Sequence, residues 1–171
     1  DKPAQMRIPE PKLLQFVDTP PTLDGRLDEA AWNEASRVWP LVLSGDKEPV
    51  EKTDAHMVFS QGVLYIGMRC HDSHIDRLTA KIGEHDGNVW LDDAVEVFFD
   101  TNHDRQSYFH LVVNSKGVRF DAAPVRDRSC NGKWSARTSI GKTSWSAEIA
   151  LPLSSLKLTP TTSEKWGINL C

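Results

Sequence analysis

The sequence has no unbroken apolar run of the roughly 18 residues that a membrane-spanning helix needs. It also has no C-x-x-C pair, no G-x-S-x-G, no P-loop and no dinucleotide-binding glycine fingerprint. Zinc-ribbon, thioredoxin-type, α/β-hydrolase and nucleotide-dependent chemistries are therefore unsupported. There is no basic excess either: 20 Lys and Arg stand against 24 Asp and Glu, a net charge of -4. Non-specific binding to nucleic acid or an anionic membrane surface needs the opposite balance. Asp1 to Glu10 lacks the apolar core of a signal peptide, so the expectation is a cytosolic or an already processed protein. Glycine and proline, 10 each in 171 residues, are too few for a collagen-like or low-complexity chain. Cysteine is scarce and odd in number: Cys70, Cys130 and Cys171. Cys70 and Cys171 both close apolar strand-like runs, so a buried pair of free thiols is preferred to a bridge. Tyrosine is scarce as well, with two residues, yet there are six tryptophans.

The length suits one well-buried domain rather than two. After an extended, proline-punctuated lead over residues 1–12, a helical spacing of apolar residues occurs once, from Leu27 to Ser36. Nearly everything later alternates with period two. Ala55 to Ser60 and Val63 to Cys70 flank Gln61-Gly62 as a hairpin, with Leu64, Ile66, Met68 and Cys70 on one face. Ala94 to Asp100, Tyr108 to Asn114, Val118 to Ala122, Lys133 to Ile140, Trp145 to Leu151 and a run from Trp166 complete the pattern. Ala123 to Lys133 reads as linker. Short strands with turns every 8 to 12 residues and one small helix predict an all-β, antiparallel, jelly-roll-like β-sandwich with a short N-terminal helix.

The densest polar cluster at a strand boundary is Asn88 to Glu96. Trp90 sits in the loop before a strongly apolar strand, where an indole has no obvious share in the core. A flat indole suits the C–H face of a pyranose, and carboxylates accept hydrogen bonds from its hydroxyls, so Trp90 with Asp93 and Glu96 makes a plausible sugar platform. The structural alternative has Trp90 covering a sandwich edge and Asp93 capping a turn. Glu96 lies opposite Val95, Val97 and Phe99 and needs a partner, either Arg69 or His110 as an ion pair or the hydroxyls of a ligand. His110 and Asn114 share one side of their strand. As a glycosidase pair, Asp93 and Glu96 are three apart and point to opposite faces, which argues against hydrolysis. His71, His74 and His103 could collect a transition metal, and Asp72, Asp76, Asp86, Asp92 and Asp100 could hold calcium, although solvated side chains explain both sets.

One ordered set of motifs spans most of the chain: Leu23-Asp24-Gly25-Arg26-Leu27-Asp28-Glu29-Ala30-Ala31-Trp32, Leu64-Tyr65-Ile66, Trp90-Leu91-Asp92-Asp93-Ala94-Val95-Glu96-Val97-Phe98, Tyr108-Phe109-His110 to Asn114, Trp145 to Pro152, and Trp166-Gly167-Ile168-Asn169. It resembles carbohydrate-binding module family 9. The resemblance implies a non-catalytic β-sandwich, not an enzyme. It would bind oligo- or polysaccharide, chiefly chain ends of plant-type polysaccharides, as a module of a secreted glycan-active protein with glycoside hydrolase partners. It implies an extracellular or periplasmic location with the signal peptide already removed, possible structural Ca²⁺ and no organic cofactor. Trp90 maps onto the family's stacking residue and Glu96 onto its hydrogen-bonding carboxylate. His110 stands where the family has another basic residue, and Asp93 and Asn114 are supporting. The family's second clamping aromatic follows the strand matching Trp166 to Leu170, so the C-terminal part of the family domain is expected beyond residue 171. The alternatives are a haem-binding sandwich, with Met57, Met68 or His110 as axial ligand, and a structural or docking sandwich without a ligand.

Overall fold

The computed structural model describes residues 12–38, 51–124, 127–156 and 165–171. The described elements run β1 (Gln15–Phe16), α1 (Ala30–Glu34), β2 (Ser36–Val38), β3 (Thr53–Ser60), β4 (Val63–His71), β5 (Ala94–Asp100), β6 (Phe109–Asn114), β7 (Arg119–Ala122), β8 (Ser135–Ile140), β9 (Ser144–Pro152) and β10 (Gly167–Leu170). They form two sheets. The larger has the order β1-β3-β4-β9-β8, with β2 also on β3; the smaller has the order β10-β5-β6-β7. All pairings are antiparallel except the two-residue contact of β1 with β3.

Period-two alternation explains why the sheets stack. Leu64, Ile66 and Met68 of β4, Trp145, Ala147, Ile149 and Leu151 of β9, and Val95, Val97 and Phe99 of β5 are all buried in one core shared by the two sheets. Each buried Val, Leu, Ile or Phe side chain contributes about 1.5 to 3 kcal/mol. The sandwich expected from the sequence is therefore the fold, and the Gln61-Gly62 hairpin forms with Ser60 opposite Val63.

The outer face of the larger sheet is closed by the chain before and within α1. Glu148, on that face of β9, is almost wholly buried. Its Oε2 accepts the Asp24 and Gly25 N–H groups at 2.9 and 2.7 Å, and its Oε1 accepts Trp32 Nε1–H at 3.0 Å. Leu27 and Trp32 press so closely on Gly67 that a β-carbon there would lie 2.5 Å from Leu27 Cδ2. Gly25, at φ +90°, takes a backbone conformation that favours glycine. This anchoring limits the helix. It spans Ala30–Glu34 rather than Leu27 to Ser36, because the chain bends at Asp24-Gly25 to dock on Glu148 and Ser36 joins β2.

Two further expectations change. Cys70 and Cys171 form no bridge, and Cys171 is exposed at the end of the smaller sheet's β10 while Cys70 packs against the core, so they are not a buried pair. Trp39 and residues 1–11 lie outside the described residues.

Burial pushes the Glu148 carboxyl up to about 7 against the pull of its N–H donors. A folded value above the unfolded 4.5 means that the folded state holds the proton more tightly. The stability this group contributes is present below pH 4.5 and is lost as pH rises through 7. The difference in melting temperature between wild type and Glu148→Gln should therefore shrink across that window, and a growing difference would contradict the assignment.

Candidate functional site

The smaller sheet uses both faces. Its inward face joins the core; its outward face carries Ala94, Glu96, Phe98 and Asp100 from β5, His110, Val112 and Asn114 from β6, and Phe120 and Ala122 from β7. One end of that outward face is roofed by the segment before β5. A second apolar cluster forms there from Val89, Val112, Phe120 and Ala122, with Ile82, Ala94 and Val118 packed around it. Residues Val89–Leu91 make a single 3₁₀ turn. Because successive residues of so tight a turn point in different directions, Val89 is completely buried while Trp90 and Leu91 are 36% and 67% exposed.

Polar groups bolt this roof down. Asp92 accepts the Lys81 and Ile82 N–H groups at 2.8 and 3.0 Å and the Asn114 side-chain amide at 2.9 Å. Burial opposes its ionisation, but those donors and the Lys116 charge more than offset it and hold the carboxyl below the usual range. Asn114 is fully buried. Its amide also donates to Ile82 O, and its Oδ1 accepts the Lys116 and Val118 N–H groups at 3.1 and 2.9 Å. Asp93 accepts the Thr79 N–H at 2.6 Å and returns its own N–H to Thr79 O.

Glu96 and His110 meet on the open part of the face. His110 Nε2 and Glu96 Oε2 are 2.7 Å apart, with the side chains 17% and 27% exposed. Of the two partners expected for Glu96, His110 is the one present; Arg69 belongs to the other sheet and donates to Leu27 O. The imidazole stacks on Phe98 at 4.1 Å and 11° and meets Phe120 at 5.5 Å. Phe120 meets Trp90 at 5.0 Å and 79°, and Phe98 meets Tyr108 at 5.3 Å. A continuous series of rings thus crosses the face from Tyr108 to Trp90. Beyond Phe98 lies an open groove of about 430 Å³, lined by Arg105, Ser107, Tyr108, Ile168 and Asn169 among others.

Trp90, Glu96 and His110 lie on this face with some surface free, while the Asp93 side chain, though exposed, is turned to Thr79. Asn114 is interior and acts only through Asp92 and the turn after β6. Asp93 and Glu96 do not form a cooperating pair, since Asp93 clasps Thr79. The sequence reading missed Arg128, whose guanidinium lies 5.3 Å from the Trp90 ring and 5.1 Å from Phe120. It sits in the stretch read as linker, where no periodicity marks a position.

His71, His74 and His103 do not converge: among the described residues no potential metal-donor group contains more than one of them. Of the acidic candidates, Asp72 and Asp86 fall in groups that include a histidine, which suits a softer ion than calcium, and Asp92 and Asp100 are engaged by N–H groups. The all-oxygen group is Asp24, Glu29 and Glu148, and there Glu29 Oε2 is buried without a hydrogen-bond partner. Its other oxygens are engaged in part, Glu148 by three N–H groups, Asp24 Oδ1 by the Arg26 N–H and Glu29 Oε1 by the Thr22 N–H. Met57 and Met68 pack in or against the sandwich core, whereas His110 is on the far face of the smaller sheet, so the axial-ligand candidates share no cavity.

A β-sandwich that presents an exposed indole, a carboxylate–imidazole pair and an open groove on one sheet face is a ligand-binding module of the kind that stacks flat, hydroxyl-rich molecules. The chain belongs to the carbohydrate family 9 binding domain-like family, whose profile matches residues 23–171. It is 26% identical over 143 residues to Exoglucanase XynX of Acetivibrio thermocellus, a match covering 81% of this chain and 12% of that protein. The chain thus spans about an eighth of that relative. A family 9 carbohydrate-binding module from Caldicellulosiruptor kristjanssonii in complex with cellotriose superposes with a TM-score of 0.66 at 20% identity, covering 91% of this chain and 74% of that one. A family 9 module from the same organism in complex with glucose gives 0.64 at 20% identity, covering 91% and 75%.

Asn114→Ala would leave the Lys116 and Val118 N–H groups and one Asp92 contact without partners. It should cost about 1 to 3 kcal/mol in denaturant unfolding and make the 78–92 segment the first site of proteolysis. An unchanged midpoint would show that the bolt is dispensable.

Proposed function

We propose that this chain is a non-catalytic carbohydrate-binding module for the chain ends of plant-type polysaccharides, carried by a secreted, extracellular or periplasmic glycan-active protein. The observation that carries the reading is the half-exposed Trp90 indole on the same sheet face as the Glu96–His110 pair. The indole offers a stacking surface. Glu96 Oε1 receives no hydrogen bond from the described residues and is open to a sugar hydroxyl. His110, fixed by Glu96 and by stacking on Phe98, presents its remaining edge to the same space, while Asp92, Asp93 and Asn114 hold the turn that carries Trp90. The likeness to an exoglucanase supports a glycoside hydrolase as the neighbouring module, and the solved complexes with cellotriose and glucose support a glucan ligand.

Stacking and two or three hydrogen bonds exchanged against water support a dissociation constant roughly between micromolar and millimolar. Isothermal titration with xylo- and cello-oligosaccharides should show such binding, with native chains held more tightly than borohydride-reduced ones. Trp90→Ala should weaken it by about tenfold or more, some 1.4 kcal/mol. A wild type that binds none of them, or a variant that binds equally well, would remove this function and favour a structural sandwich.

Structural calcium belongs to the same proposal, with Asp24 and Glu29 as its carboxylate donors beside the N–H-engaged Glu148. Removing divalent ions with a chelator should then lower the melting temperature and restoring Ca²⁺ should recover it. An unchanged melt would remove calcium from the proposal.

A further inference from the structure

The charges around the ring series are unequal in what they leave for a ligand. Its carboxylates are engaged internally: Asp92 by three N–H donors, Asp93 by Thr79, and Asp100 by the Asp104 and Arg105 N–H groups at 3.0 and 2.7 Å. Asp104 is likewise engaged by the Gln106 and Ser107 N–H groups, and Glu96 by His110. The two arginines that flank the series have no carboxylate partner among the described residues. Among the described residues the ion pairs are Arg37–Asp54, His71–Asp54, His85–Asp86 and His110–Glu96, and neither Arg105 nor Arg128 appears in one.

Arg128 sits at the Trp90 end. Its guanidinium carbon lies 5.3 Å from the Trp90 ring centre and 5.1 Å from that of Phe120, and among the described residues its polar contacts are long ones to Asp86 O at 3.3 Å and Asn88 Oδ1 at 3.4 Å, both uncharged acceptors. The two rings stand 79° apart and hold the guanidinium by cation–π attraction, which leaves its charge available to a ligand. Arg105 stands at the opposite end, on the groove beyond Phe98, with its backbone fixed by the bond to Asp100.

We infer that this face selects a sugar chain bearing carboxylates, with the Arg128 guanidinium pairing the carboxylate of a uronic acid placed against Trp90 and Arg105 meeting a second acidic unit in the groove. The inference rests on the sugar-binding reading above and refines it from neutral glycan ends to acidic ones. A planar carboxylate matches the guanidinium fork in two parallel hydrogen bonds. The groove is within the range of ordinary small-ligand sites, and its floor of Phe98 and Tyr108 continues the stacking surface.

The test compares titrations of undecorated xylo-oligosaccharides, glucuronic-acid-bearing xylo-oligosaccharides, oligogalacturonates and sulfated oligosaccharides of matched length, on wild type, Arg128→Gln, Arg128→Lys and Arg105→Gln. The wild type should hold one uronate series about tenfold more tightly than the neutral one, with a preference that fades as salt is raised. Arg128→Gln should collapse the acidic-to-neutral ratio towards one, Arg128→Lys should keep part of it, and Arg105→Gln should lower it only for ligands carrying two acidic units. Equal or tighter binding of the neutral series overturns the inference while leaving sugar binding intact. A ratio untouched by Arg128→Gln reduces Arg128 to a prop for the indole, and tighter binding of the sulfated series overturns the assignment to carboxylate. If no series binds, the inference falls together with the function proposed above.

Discussion

The hydrogen bond between the Asn114 amide and Asp92 is the interaction on which the candidate site depends. Asn114 belongs to β6 and cannot move without the sheet; Asp92 belongs to the loop and fixes Lys81 and Ile82 through their N–H groups. The contact therefore transmits the position of a rigid strand to a segment that has no regular structure of its own. With the loop tied there, Val89 is driven into the apolar patch over Val112 and Phe120, and the next residue, Trp90, is turned outward. The exposure of that indole is a consequence of where its neighbour must go.

The two sheets divide the work. The larger sheet is closed on its outer side by residues 23–34, held by the buried Glu148 carboxylate and by Leu27 and Trp32 against Gly67. That face has little surface left for a ligand. The smaller sheet is roofed at one end, and the remainder of its outer face is free to carry Glu96, His110, Phe98 and the groove. A strand such as β5 can serve both roles because alternation sends Val95, Val97 and Phe99 to the core and Glu96 and Phe98 to the site.

That same alternation is why much of this was legible beforehand. Period two placed Leu64, Ile66 and Met68 inside, put Glu96 opposite Val95 and Val97, and set His110 on the face where Glu96 meets it. Asn114 shows the limit: it shares a face with His110, yet a roof folded from residues distant in sequence buries it. The helix was overestimated because helical spacing in residues 27–36 competes with three N–H contacts to Glu148, a partner more than a hundred residues away. Arg128 and the Arg105–Tyr108 wall of the groove beyond Phe98 come from irregular loops, where position is set by tertiary contacts and not by any repeat. The tryptophans separate on the same grounds: Trp32, Trp134 and Trp145 are buried and Trp166 packs against the core, leaving Trp90 as the outward-facing indole among the described residues.

The most direct test of the central claim is to follow the indole N–H resonances by two-dimensional ¹⁵N NMR while titrating an oligosaccharide. The account predicts that the Trp90 signal shifts progressively together with backbone amides of β5 and β6 around Glu96 and His110, while the buried Trp32, Trp134 and Trp145 indoles stay in place. Shifts confined to residues of the larger sheet, with the Trp90 signal unmoved at saturation, would contradict it.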